Sequence, residues 1–122
     1  MKRCPALLFA IGLMLSMSAH AGSISGEAFL DLNAKDKGWY FVGALDAMKQ
    51  TRDTYLSASE MDAAEFDEVW EACISGRSVR QHLAIVEAWL NAHPERWHEP
   101  VIRLIFDAER ESCADAKESL DE

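Results

Sequence analysis

Apolar residues along this chain return at helical spacing almost throughout, and no alternating stretch competes with them as a strand. The exception comes first, because Ala6 to Leu15 is an unbroken apolar run. Beyond it, Ser25 or Gly26 can start a short helix with Phe29, Leu30 and Leu32 on its apolar side, and Gly38 ends or interrupts that helix. A second helix is predicted from Trp39 to Arg52, with Phe41, Leu45 and Met48 on one face and Tyr40, Gly43, Ala44 and Ala47 in a neighbouring strip of little bulk. Glycine costs about 1 kcal/mol relative to alanine inside a helix, so Gly43 predicts a close approach by another helix, with a ligand-facing gap as the alternative. Thr51 to Ser59 reads as a connection.

Ser59, with Asp62 three residues on, marks the start of a third helix. Its Phe66, Val69, Trp70 and Cys73 follow the spacing of a buried stripe, while Glu60, Asp62, Glu65, Asp67, Glu68 and Glu71 crowd the opposite face. After a break at Ile74 to Arg77, Ser78 and Gln81 make a capping box, in which each side chain serves the other residue's backbone N–H. The fourth helix carries Val79, Leu83, Val86 and Leu90 as its core stripe, widened by Trp89, and stops at His93-Pro94. Pro100 suits the first turn of a fifth helix, with Val101, Leu104, Ile105 and Ala108 on one face, Ile102 and Phe106 on the next, and Cys113 at its end. Trp39, Trp70, Trp89 and Trp97 are assigned mainly to the core. The expected fold is all-α: a small compact bundle of four to five short helices forming one domain over residues 22–113, followed by a charged, frayed tail over 114–122.

Composition changes the picture first at the N-terminus. The 122 residues include Lys+Arg 12, Asp+Glu 21 and three cysteines. Lys2 and Arg3 precede the apolar run, and Ala19-His20-Ala21 puts small residues where a signal peptidase needs them, so residues 1–21 read as a secretory signal cleaved after Ala21. The run is shorter than the roughly 20 residues a spanning helix needs, and no membrane association is expected after cleavage. Cys4 precedes the apolar run rather than ending it, so it leaves with the signal and anchors no lipid. Removing residues 1–21 leaves 101 residues with 10 basic and 21 acidic side chains, a net charge of −11. Such a chain repels nucleic acid and favours a cationic protein partner. Cys73 and Cys113 survive cleavage and, in an oxidising compartment, have only each other. Closing the 39 residues between them would constrain the unfolded chain by about 4 kcal/mol. The expected disulfide joins the ends of the third and fifth helices and encloses the fourth.

Candidate chemistry is sparse. His82, His93 and His98 lack the i, i+4 spacing with which helical histidines share a zinc ion, and no HExxH pattern occurs. There is no G-x-S-x-G, both cysteines are committed to the disulfide, and carboxylate pairs abound only because the chain is acidic. The expectation is a protein that is not an enzyme and uses no metal or cofactor. The acidic residues Glu60, Asp62, Glu65, Asp67 and Glu68 are the candidate partner-binding surface, weighed against the plainer reading of a solvated face.

Several motifs occur together. They are Cys73-Ile74, the helix start Ser78-Val79-Arg80-Gln81, Ile85-Val86 with Trp89-Leu90, the turn His93-Pro94-Glu95-Arg96-Trp97-His98, the helix Val101 to Ala108, and Ser112-Cys113. In this order they resemble the type VI amidase immunity (Tai) and resistance-associated protein family, whose C-terminal halves run Cys, helix, an "NxHPE...H" turn, helix, Cys. Upstream, Tyr40-Phe41-Val42-Gly43-Ala44-Leu45-Asp46 is similar to the family's "GYxxGxxD" helix, so the resemblance extends over roughly Gly26 to Cys113. Many relatives carry a further cysteine pair around the first two helices, and the matching positions here, near Asn33 and Lys37, lack both. The resemblance implies a periplasmic protein that binds and blocks a peptidoglycan-cleaving amidase toxin delivered by type VI secretion, and it leaves homodimerisation open. The competing expectation is a periplasmic stress chaperone, since acid-stress chaperones are also small, helical and stapled by one disulfide. A third is a protein of the same fold with an unassigned periplasmic role.

Overall fold

The computed structural model describes residues 24–59 and 61–119. The expected signal over residues 1–21, Glu60, and residues 120–122 of the tail lie outside the described residues. Helices form where the chain supplies a cap and an inward face. α1 (Gly26–Leu30) starts at Ser25, whose hydroxyl oxygen accepts from the Ala28 N–H at 3.1 Å. α2 (Ala34–Gln50) starts at Asn33, whose side chain accepts from the Asp36 N–H at 2.9 Å and donates to the Asp36 carboxylate at 2.7 Å. This cap sets the start of α2, so Gly38 neither ends α1 nor interrupts a helix, and lies within α2 instead.

α3 (Arg52–Ser59) follows directly, where a connection was expected. Leu56 is its one buried apolar side chain, too little for a stripe to be read. α4 (Ala63–Val69) is capped by Asp62, which accepts from the Ala64 N–H at 3.1 Å, rather than by Ser59. It continues into a π turn, Trp70–Ile74, closed by the Ser75 N–H on the Trp70 carbonyl at 2.9 Å. The wider turn lets the consecutive Cys73 and Ile74 both face inward.

α5 (Val79–Ala92) begins at the expected capping box: the Ser78 N–H donates to Gln81 Oε1 at 2.8 Å and the Gln81 N–H to Ser78 Oγ at 3.3 Å. A 3₁₀ turn over Pro94–Arg96 leads to α6 (Val101–Glu118), which runs past Cys113 through part of the expected tail. There Lys117 pairs with Glu68 of α4, a contact that favours continuing the helix. The fold is therefore an all-α bundle, with six α-helices among the described residues where four to five were expected.

α6 is its axis, packed by α1, α4, the π turn and α5, while α2 lies across α5 and touches α3. Phe66 and Phe106 stack with ring centroids 5.1 Å apart at the α4–α6 contact. The Cys73–Cys113 disulfide, with Cα atoms 5.8 Å apart, ties the π turn to α6 and encloses α5. The close approach requiring glycine lies at Gly26, where a Cβ would sit 2.9 Å from Leu104 Cδ1, 3.3 Å from Leu90 Cδ2 and 3.4 Å from the Trp97 backbone. Backbone bonds from Gly26 N–H to the Glu99 carbonyl and from Glu27 N–H to the Trp97 carbonyl, both 3.1 Å, hold α1 there. Gly43, in contrast, is exposed with nothing within 4 Å of where its Cβ would stand, so the helix crossing expected there is absent among the described residues.

Candidate functional site

The predicted acidic face lies on α4 and its cap. Asp62 is spent on capping α4. Asp67 holds Arg52 through a two-pronged contact at 2.8 and 2.7 Å, Glu65 lies 3.6 Å from Arg110, and Glu68 pairs with Lys117. The hydrogen bonds from Arg52 hold the Asp67 carboxyl below its ordinary range. Glu60 lies outside the described residues. Three of these carboxylates, Glu65, Asp67 and Glu68, meet cations from α3 and α6 that are distant in sequence.

Inside the bundle, α5 and α6 bring together a charged cluster that sequence reading missed. Glu109 is 0% exposed and His82 2%. The Glu109 carboxylate accepts from Arg77 Nη1 at 2.5 Å and faces His82 Nδ1 at 2.5 Å, while Arg77 Nη2 reaches Ser112 Oγ at 3.3 Å. Phe41 of α2 stacks on the His82 ring, with centroids 5.0 Å apart. Helical spacing carried the signal: Glu109 is four residues from both Ile105 and Cys113, and His82 is four before Val86, so each occupies a core-facing position. A buried carboxylate between two nitrogen donors is a positional lock that fixes the loop bearing Arg77 against α6.

The His93 to Glu99 turn is clamped in a comparable way. His93 Nδ1 donates to the Trp89 carbonyl at 2.7 Å, and its ring stacks on Trp89 with centroids 4.0 Å apart. Arg96 lies 5.1 Å over the Trp89 ring and donates to Glu99 and to Asp107, each at 2.8 Å. The hydrogen bonds from Arg96 to Glu99 hold the Glu99 carboxyl below its ordinary range. Burial, followed by the charge of Asp107, pushes the nearby Tyr55 hydroxyl up to about 12, so it stays protonated. Trp97 Nε1 caps the Leu90 carbonyl at 2.7 Å. The histidine and arginine of this turn therefore serve to fasten it to α5 and α6.

The open surface lies elsewhere. Between α2 and α5 lies a groove of about 620 Å³ whose lining includes Gly38, Leu83 and Ala84. Its walls hold Trp39, 68% exposed, with Val42 at 37% and Val79 at 38%, the three large hydrophobic side chains that stand exposed among the described residues. Val79 was expected in the core. The buried residues of α5 are His82 with the expected Val86, Trp89 and Leu90; α6 and α2 both pack on the helix, Phe41 of α2 covers the His82 ring, and Leu83 is half-buried. Trp39, likewise expected in the core, projects into solvent. Lys35, Arg80 and Glu87 rim the groove, and Glu87 is paired with Lys37 at 2.9 Å.

No family model matches this chain. No curated protein matches it, and no solved structure does. No helix among the described residues is long and apolar enough to cross a membrane.

Proposed function

We propose that this chain is an exported, periplasmic immunity-type protein that binds and inhibits a peptidoglycan amidase delivered by type VI secretion. The observation that carries the reading is the exposed Trp39 groove mounted on a frame held by the Cys73–Cys113 disulfide and the Arg77–Glu109–His82 cluster. Exposed aromatic side chains on rigid, preorganised surfaces are what protein recognition uses, since little ordering remains to be done on binding. The order of motifs from Cys73 to Cys113 supports the family, and the disulfide supports an oxidising compartment.

An inhibitor of this kind acts by occupying the enzyme's cleft, so it needs no chemistry of its own. The test is to add the mature protein to secreted peptidoglycan amidases of type VI secretion and follow peptidoglycan hydrolysis. Stoichiometric loss of hydrolysis and a stable complex are expected; unchanged hydrolysis with no complex contradicts the reading. A chaperone is the second reading, favoured by the ion pairs Arg52–Asp67 and Arg96–Glu99, which acid would open. It predicts suppressed aggregation of unrelated proteins in strong acid, and the immunity reading predicts none.

A further inference from the structure

We infer that the groove between α2 and α5 docks an acidic segment of a protein partner, one that presents an apolar anchor flanked by carboxylates. The inference rests on the protein-binding reading above and specifies the chemistry of the partner. Two independent features coincide in the groove. The first is apolar: Trp39, Val42 and Val79 stand exposed around one depression. Burying them is favourable in proportion to the area removed from water, and a tryptophan is the side chain most often found to dominate such contacts.

The second feature is charge. Of the lysines and arginines among the described residues, Lys35, Lys49 and Arg80 alone make no ion pair, and two of these three rim the groove. Elsewhere, Lys49 apart, the cations of the described residues are answered by carboxylates, which the acidic composition supplies in excess. Leaving Lys35 and Arg80 unanswered beside its most exposed aromatic residue gives the groove a local sign opposite to that of the whole chain. A segment bearing carboxylates complements that sign, and a basic segment does not. A second copy of this chain is disfavoured, because a two-fold contact through this patch would set Lys35 and Arg80 against their own counterparts.

The test uses a phage-displayed random peptide library selected on the whole mature protein, with the Trp39→Ala variant as counter-target. Both variants used here alter exposed side chains, and their melting temperatures verify that they fold. Enrichment of peptides combining an aromatic or aliphatic anchor with Asp or Glu is expected. Their synthetic versions should bind at least about tenfold more weakly to Trp39→Ala and to Arg80→Glu. Enrichment of Lys/Arg-rich peptides, binding indifferent to both variants, or no enrichment at all overturns the inference. So does concentration-dependent self-association abolished by Trp39→Ala, which assigns the groove to a second copy. The two readings fail differently. If the wild-type protein does not inhibit the amidase, the immunity reading falls; if the Trp39→Ala/Arg80→Glu double variant inhibits as well as wild type, the groove inference falls alone.

Discussion

The two sides of α5 are built to opposite rules. Toward α6, charges are answered and rings are covered: Glu109 meets Arg77 and His82, Trp89 is stacked by His93 and overlain by Arg96, and the disulfide closes around the helix. Toward α2, Val79 and Trp39 stand in solvent and Arg80 has no carboxylate. A chain with so many acidic residues could have paired Arg80 easily. The difference separates a side that supports the fold from a side that is available to a partner, so substitutions on the first should cost stability and those on the second should cost binding.

The largest effect should come from Glu109→Ala. It leaves the mostly buried Arg77 and the buried His82 without their carboxylate, and a destabilisation of about 3–5 kcal/mol is expected by denaturant titration. A loss below 1 kcal/mol would mean that the cluster is solvated and that the contrast between the two sides is overstated. Next, Cys73→Ser should lower stability by about 2–4 kcal/mol under oxidising conditions, and added reductant should lower the wild type to match. An unchanged melt would remove the disulfide from the supporting side.

Two glycines sharpen the comparison further. Gly26→Ala forces a methyl against fully buried Leu104 and the Trp97 backbone, with an expected cost of about 1–3 kcal/mol. Gly43→Ala meets nothing and relieves a helix-interior glycine, so it should stabilise by up to about 1 kcal/mol. The opposite ranking in thermal melts would restore the helix crossing at Gly43 that the sequence suggested.

The smallest effect is expected from acid. Asp67 and Glu99 are both held below the ordinary carboxylate range by hydrogen bonds from Arg52 and Arg96. A depressed folded-state pKa contributes stability that is present above the unfolded value, about 4, and is lost as pH falls through the folded value. Stability should therefore decline below about pH 4, and Arg52→Ala should flatten only a small part of that decline because the pair is exposed. A decline of equal size in an Arg52→Ala/Arg96→Ala variant would place the acid sensitivity elsewhere.

Local signals carried the C-terminal half of the fold. The capping box at Ser78 and the prolines at 94 and 100 act within a turn of where they stand, so the bounds of α5 and the start of α6 could be read directly. The N-terminal half was harder, because its decisive features are weak or distant. Asn33 caps α2 only five residues before Gly38, within a mostly polar stretch from Asp31 to Gly38, and α3 offers one buried leucine. Gly38 looked like a stop, yet a helix with a sound cap and with Phe41, Ala44 and Met48 buried tolerates two glycines, Gly38 and Gly43. The acidic row on α4 was visible, but its pairing with Arg52, Arg110 and Lys117 depends on tertiary packing. The groove was hidden for the same reason: Val79 has the spacing of a core residue and Trp39 the bulk of one, and only the packing of α2 on α5 determines that neither is covered.

The central claim is that the α2 side of α5 is reserved for a partner, and it meets its most direct test in the Trp39→Ala variant. Titration calorimetry with an acidic, library-selected peptide, on protein whose melting temperature is recorded alongside, separates binding from folding. The expected result is a melting temperature equal to wild type with binding weakened at least about tenfold. Unchanged affinity, or a fall in melting temperature of the size seen for a buried side chain, would contradict it.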